Sequence, residues 1–394
     1  HIYGNGSLHS CFFSGGSQIT AAQYQTGFIS DTATMRHPLV DLHVWNSDTI
    51  YHVVGHEGGF FATDPSAPDV TDVVIQYFRK VNGGPPGALS AWEGPLTIDT
   101  ARYRGVVAAS PASGKVAVAY VHHTPMAFTM NEDGDTDIYY RESDSAGSLT
   151  SWDPPVNITN HDRTEPSRSP WIEVAPLYTS DDFLHILYEG NPWPAYVYDS
   201  SDFFFGDFTT SLFHWTDKTD VISRVANRDY GIEWNTQVCG FGGTNTHYLA
   251  FFNIAECNNR LYVVYAGWHD VFAEPPLIDD CASSPGTAES RVWQANGELY
   301  LHVSSSIDGL LWDAPRNLTE TYTPDCDSAG FGGICLNDTK PMMARYGMDV
   351  TAYDSSLAFP GGEFLDVDPG YTGNHFLHIM FLEDHYPSNW ALGD

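Results

Sequence analysis

Tyr300-Leu-His-Val-Ser-Ser-Ser306-Ile-Asp308-Gly309-Leu-Leu-Trp312-Asp-Ala-Pro-Arg-Asn317-Leu-Thr319 is the stretch on which the fold turns. It opens as an apolar/polar alternation of period two, which predicts a half-buried strand. Ser-Ile-Asp-Gly is turn chemistry, since Asp bonds nearby backbone and Gly accepts a positive φ. A tryptophan closes the turn, and Trp-Asp-x-Pro-x-Asn-Leu-Thr follows. The same arrangement recurs at Asp137–Glu142, Ser143-Asp144, Gly147 and Trp152-Asp-Pro-Pro-Val-Asn157-Ile-Thr159. A third strand-like run, Val73–Phe78, leads into Leu89-Ser-Ala-Trp92-Glu-Gly-Pro, which keeps only the tryptophan. A weaker fourth copy surrounds Phe213-His-Trp215-Thr-Asp.

A repeated hairpin precedes these units. Its second strand reads Ile50-Tyr-His-Val-Val-Gly, Val116-Ala-Val-Ala-Tyr-Val, Leu184-His-Ile-Leu-Tyr-Glu, Leu261-Tyr-Val-Val-Tyr-Ala and Leu377-His-Ile-Met-Phe-Leu. Successive starts are 66, 68, 77 and 116 residues apart. Turns lie just before each copy, at Asn46-Ser-Asp, Ala112-Ser-Gly, Ser180-Asp-Asp, Cys257-Asn-Asn and Thr372-Gly-Asn. The first strands are expected at 38–45, 105–109, 171–177, 247–254 and 347–353. No amphipathic helical stretch of useful length interrupts this pattern.

Four short strands in each unit of roughly 65–75 residues predict an all-β chain, a β-propeller of about five blades with six as the alternative count. One four-stranded unit has two faces to bury, and neighbours around a ring bury both. The expected layout is one domain over 1–394. Residues 1–36 hold the closing strands, 37–346 blades one to four with insertions near 274–289 and 321–340, and 347–394 the start of the last blade. The N-terminal strand around Ser7-Leu-His-Ser-Cys-Phe-Phe would complete that blade. The same strand could instead complete a neighbouring copy, giving a homopolymer.

Bulk chemistry narrows the partners. Fifty Asp and Glu against 17 Lys and Arg give a net charge of −33. That field disfavours nucleic acid and anionic membrane and suits cations such as Ca²⁺. No apolar run is long enough for a membrane-spanning helix, so membrane insertion is not expected. Six cysteines fit disulfides in an oxidising, extracellular or cell-surface setting, with any signal peptide already removed. Cys326 with Cys335 is the favoured local pair, then Cys239 with Cys257, which leaves Cys11 with Cys281; other connectivities stay open.

Ser306-Ile-Asp308-Gly309-Leu-Leu-Trp312 resembles a one-residue-shorter Asp-box of the sialidase-like (BNR-repeat) secreted bacterial propellers. The likeness extends through weak repeats over roughly 37–383. In that family the Asp-box is a structural plug that lies away from the active site. The resemblance therefore implies structural roles for Ser306, Asp308, Gly309, Trp312, Trp152 and Trp92. It also implies a search for the family's three arginines. Arg36, in Met35-Arg36-His37-Pro38, sits where the first would fall but lacks the family's aromatic and Ile. Arg228, Arg291 and Arg345 are the remaining candidates, and no motif selects among them.

Other chemistry-bearing residues are few. Asn131-Glu-Asp133-Gly-Asp135-Thr-Asp137 places carboxylates at alternate positions, like the front half of a Ca²⁺ loop. Gly362-Glu363-Phe-Leu-Asp366-Val-Asp368 is a weaker second. His43, His185, His302 and His378 recur at related strand positions, which repeat ancestry explains as well as a metal-lined channel does. Sequons at Asn5, Asn157, Asn317 and Asn337 are candidate glycosylation sites. No nucleophile elbow, zinc-protease helix, phosphate loop or dinucleotide fingerprint is present. Together these features point to a non-catalytic binder of glycan or protein, or a subunit of an extracellular filament or layer. A sialidase-like glycoside hydrolase is the alternative.

Overall fold

The computed structural model describes residues 8–12, 25–30, 36–57, 73–81, 92–101, 104–123, 136–160, 168–192, 211–227, 249–268, 297–320, 337–349 and 375–384. Among the described residues every regular element is a β-strand. The chain divides into two compact units, 1–188 and 189–394.

In the first unit, β1 (Leu8–Phe12) pairs antiparallel with β2 (Gln25–Ser30). A four-stranded antiparallel sheet follows, made of β3 (Arg36–Trp45), β4 (Asp48–Glu57), β5 (Val73–Val81) and β6 (Glu93–Ala101) in that order. The second sheet has β7 (Val106–Ala109), β8 (Val116–His123), β9 (Thr136–Ser143) and β10 (Val156–Asn157), again in sequence order and antiparallel. β11 (Arg168–Tyr178) comes next, and the division between units falls within β12 (Leu184–Pro192).

The second unit holds the antiparallel hairpin β13 (Ser211–Thr216) and β14 (Val221–Asn227). It continues into a four-stranded antiparallel sheet of β15 (Leu249–Cys257), β16 (Arg260–Trp268), β17 (Gly297–Val303) and β18 (Arg316–Asn317). β19 (Asn337–Met343), β20 (Met348–Asp349), β21 (His375–Phe376) and β22 (Ile379–Asp384) close the described chain.

Local sequence explains the hairpins. Trp45 pairs with Asp48 across Asn46 and Ser47, whose φ values are 50° and 70°. Cys257 pairs with Arg260 across Asn258 and Asn259, at 50° and 58°. Two left-handed residues match the right-handed strand twist, and Asn tolerates that region better than most residues. Packing then joins sheet to sheet. In the first unit, Val54, Ile75 and Tyr77 of one sheet meet Val107, Val116, Val118 and Tyr120 of the next, all at most 1% exposed. In the second, Val264, Ala266, Leu299 and Leu301 bury against Met343 and half-buried Ile379.

Two expectations are corrected. The fifth hairpin is split: Met348 and Asp349 do pair with Phe376 and His375, just before the Leu377 run, but the strand of that run, β22, pairs with β19. β19 occupies part of what reads as an insertion at 321–340. Just beyond its end, Glu256 N–H donates to the Arg345 carbonyl at 2.8 Å, and Gly347 N–H to the Glu256 carbonyl at 2.7 Å. Leu8–Phe12 pairs with β2, and β19 to β22 pair among themselves within 337–384. Second, Trp215 is no turn tryptophan. It lies inside β13, 4% exposed, with Nε1 donating to Asp220 at 3.0 Å.

Candidate binding site

The Trp-closed turns are plugs between sheets. In the second unit Ser304 bridges Trp312 across the turn, and Asp313 N–H donates to the Val303 carbonyl at 3.0 Å. Gly309 has φ +63°, and a Cβ there would lie 2.3 Å from the His214 ring of β13. The Trp312 ring meets His214 edge-on at 5.5 Å. Its Nε1–H donates to Ser223 Oγ at 3.2 Å, and Ser223 Oγ–H donates to the Gly309 carbonyl at 2.6 Å. Asp308 departs from the expected role of turn cap: its carboxylate meets Lys218 Nζ at 2.7 Å. The turn itself is held by Gly309 N–H to the Ser306 carbonyl at 3.1 Å and by Ser304 Oγ–H to the same carbonyl at 2.7 Å.

The first unit repeats the device with one residue more in the turn. Ser143 bridges Trp152, and Gly147, at φ +69°, sits against Tyr77 and His52 of the first sheet. The Trp152 ring meets Tyr77 edge-on at 4.9 Å. Arg79 Nη1–H donates to the Ala146 carbonyl at 3.1 Å, and Arg141 Nη1–H to the Ile98 carbonyl at 2.8 Å. Behind the plug runs a proton-ordered chain. The Ser113 carbonyl can only accept, so His43 Nε2–H donates to it at 2.9 Å. His43 Nδ1 then accepts from His52 Nε2 at 3.4 Å, and His52 Nδ1 accepts from Tyr77 O–H at 2.6 Å. Burial, then the neighbouring His43 and Arg79, push His52 down to about 3. Burial likewise lowers His43 and raises Tyr77. Every member is thus neutral near pH 7, as the hydrogen-bond order requires. Trp92, the third copy, is half-buried with Lys80 Nζ at 6.0 Å from its ring centroid.

The open feature lies at one corner of the sheet β15–β18. Arg260, Val303, Ser304, Ser305, Leu311, Trp312, Asp313 and Arg316 line a cavity of about 360 Å³. Val303 and Ser304 are buried there, whereas Leu311 is 70% exposed. Asp313 is fixed, because Oδ1 accepts Val303 N–H at 2.6 Å and its carbonyl accepts His302 Nδ1–H at 2.8 Å. Its Oδ2 lies 3.7 Å from Arg316 Nη2. The corner is lined by two arginines, one anchored carboxylate and an indole–leucine wall. No sequence motif marks either arginine. Arg316 stands where the other copy has Val156 in Pro-x-Asn, so the difference between copies was the available signal.

The remaining expected residues fall elsewhere. Asp137 is 1% exposed, with Oδ1 accepting Thr159 Oγ1–H at 2.6 Å and Oδ2 accepting Asn157 Nδ2–H at 3.0 Å. It therefore holds the edge of its own sheet; Asp133 and Asp135 lie outside the described residues. No group of three or more His, Cys, Asp or Glu side chains placed to hold a metal occurs among the described residues. His43, His185 and His302 are buried in their strands, and His378 is exposed. Asn157 and Asn317 cap their turns instead of presenting free amides. Asn317 Nδ2–H donates to Glu298 at 2.8 Å, and its Oδ1 accepts Thr319 and Glu320 N–H at 3.2 and 3.1 Å. Asn157 does the same towards Thr159 and Asn160. Asn337 opens β19, and Asn5 lies outside the described residues. Cys257 is buried against Gly347, and Cys11 lies in β1. Cys239, Cys281, Cys326 and Cys335 lie outside the described residues, so each expected pair has at least one member there. Arg36 opens β3, while Arg228 and Arg291 are likewise outside the described residues.

No family model matches this sequence, and no curated protein matches it. Among solved structures the chain is similar to a thermostable family-43 glycoside hydrolase. The TM-score is 0.37 at 11% identity, over 78% of this chain and 80% of that one. It is also similar to an α-L-arabinofuranosidase from Podospora anserina (TM-score 0.36, 8% identity, 79% and 77% covered). Trypanosoma rangeli sialidase scores 0.36 at 10% identity, over 78% of this chain and 40% of that one. Similarity this slight assigns no activity.

Proposed function

We propose that this chain is a secreted, non-catalytic β-propeller of about five blades that binds a glycan or protein surface outside the cell. The observation that carries this reading is the interlock of sheet with sheet, repeated at Gly147–Trp152 and Gly309–Trp312. Chemistry-bearing side chains support it, because they serve the scaffold. Arg79 and Arg141 hold backbone carbonyls. Asp99 accepts from Tyr120 at 2.6 Å, Glu142 from Tyr178 at 2.5 Å, and Glu298 from Tyr300 at 3.1 Å. The open corner at Arg260, Trp312 and Arg316 offers the recognition surface. Ca²⁺ at Asp133 and Asp135 belongs to the same proposal.

A panel of aryl glycosides, sialosides included, tests it against the sialidase-like hydrolase reading. No turnover, together with saturable binding on a glycan array, is the expected result; turnover of any member overturns the non-catalytic reading. A self-assembly role is favoured by one feature. β3 lies at the edge of its sheet, and Val40, Leu42 and Val44 on one of its faces are 56–65% exposed. Apolar edges of this kind invite pairing with another chain. Sedimentation of the purified chain and of Leu42→Glu separates this arm, since a concentration-dependent assembly lost in the variant would support it.

A further inference from the structure

We propose that the solvent face of the β19–β22 pair is a site for a soft monovalent cation, Cu(I), held by the thioethers of Met342 and Met380 and the imidazole of His378. The site is independent of whether the chain binds a glycan. Strand alternation makes this face. Met343, 8% exposed, and half-buried Ile379 join the core shared with β15, β16 and β17. One residue out of phase with them, Met342 is 59% and Met380 63% exposed. His378, two residues before Met380, is exposed on the same side.

Register brings the three donors together. Met342 and Met380 are direct cross-strand partners, so their Cβ atoms stand about 4.5–5.5 Å apart. Ala344 N–H donates to the His378 carbonyl at 2.9 Å, which places His378 opposite Ala344 and diagonal to Met342. A diagonal pair is separated by about 7–8 Å, within reach of long side chains. The small Ala344 side chain leaves the imidazole room to lean towards the sulfurs. Methionine has three rotatable bonds and a polarizable sulfur, so two of them can close on one ion from these positions. The donor set decides which ion. Thioethers select Cu(I), and imidazole accepts it, whereas Ca²⁺ and Mg²⁺ require oxygen ligands. A net charge of −33 draws cations to the surface in general, and this face sorts them by softness.

The other copies of the repeat strand provide an internal control. Aligned on their first residues, they place Val53, Ala119, Leu187 and Val264 where the last copy has Met380. All four are at most 4% exposed. His185 stands where the last copy has His378, and it is wholly buried. The repeat thus requires a buried aliphatic side chain at this position, not a sulfur. Only the last copy carries a thioether there, turns it to solvent and faces it with a second one, in a chain with seven methionines among 394 residues.

Silver(I), a redox-inert ion of the same charge and similar softness, is the probe. It is titrated into the full chain labelled with carbon-13 at the methionine methyls, after thiols accessible in the folded state are capped with iodoacetamide. The seven methionines give seven methyl signals, and Met342→Leu and Met380→Leu assign two of them. These two should move together and saturate at one equivalent of silver. Each Leu variant should weaken silver binding at the remaining methionine at least about tenfold, and so should His378→Gln, because losing even an outer-shell partner costs a metal site about 10–100-fold. All three side chains lie in solvent, so the variants should fold as the parent does. Calcium at the same concentration should leave both signals in place. The site is overturned if the Met342 and Met380 signals stay still, shift no more than those of Met35, Met126 and Met130, or respond independently in the single variants. Silver held by the methionines but indifferent to His378→Gln overturns the three-donor assignment. Equal shifts with calcium overturn the selection for a soft ion.

Discussion

Gly309 and His52 show how much of this structure depends on single positions. Gly309→Ala would place a methyl 2.3 Å from the His214 ring at φ +63°, so both backbone and packing object. A cost of about 2–4 kcal/mol is expected in urea unfolding, and His214→Ala in the same chain should recover part of it. His52 makes a pH prediction. It is neutral when folded, with its value near 3, and ordinary when unfolded. The unfolded chain therefore binds a proton that the folded one refuses between about pH 6.5 and 3. Stability is full above that window, falls as pH drops through it by up to about 1.4 kcal/mol per unit, and levels below it. His52→Gln keeps an acceptor for Tyr77 and a donor for His43 without titrating. The gap between wild type and variant in unfolding free energy should close from pH 7 towards pH 4.

At the scale of elements, the shared Trp-Asp-x-Pro-x-Asn-[Ile/Leu]-Thr run is one capping device. Its asparagine oxygen gathers two turn N–H groups while its amide grips a carboxylate on the neighbouring strand. Asn157→Ala should therefore cost about 1–2 kcal/mol. Peptide mass spectrometry of the chain made in a glycosylating host should find Asn157 and Asn317 unmodified, since glycosylation would take the nitrogen that each gives to Asp137 or Glu298. The hairpins were legible in the sequence because short apolar and aromatic runs such as Leu261-Tyr-Val-Val-Tyr-Ala, buried on both faces, recur between turn signals, and because Asn46 and Asn258 announce their turns. β19 was not legible. Asn-Asp-Thr-Lys-Pro-Met-Met has no alternation, and pairing with β22 is what makes it a strand. The sockets escaped for a similar reason. His52, Tyr77 and His214 look like ordinary strand residues until a turn some 70–95 residues later lands on them. Asp308 was visible as a turn residue, but its Lys218 partner is set by tertiary approach.

For the whole molecule, charge governs behaviour outside the cores. With 50 acidic and 17 basic side chains, self-repulsion opposes the compact state. Raising ionic strength from about 0.02 to about 0.5 M at pH 7 should raise the melting temperature by several degrees, and a salt-independent midpoint would contradict this.

The plugs also have a direction. Gly147 lands on His52 and Tyr77, and Gly309 on His214, so each turn reaches back to a strand made earlier in the chain. On the ribosome the receptacle always emerges first and waits for its insert. A nascent chain can thus fasten each new sheet as it appears, and a chain cut short from its C-terminal end is left with vacant receptacles, not stray inserts.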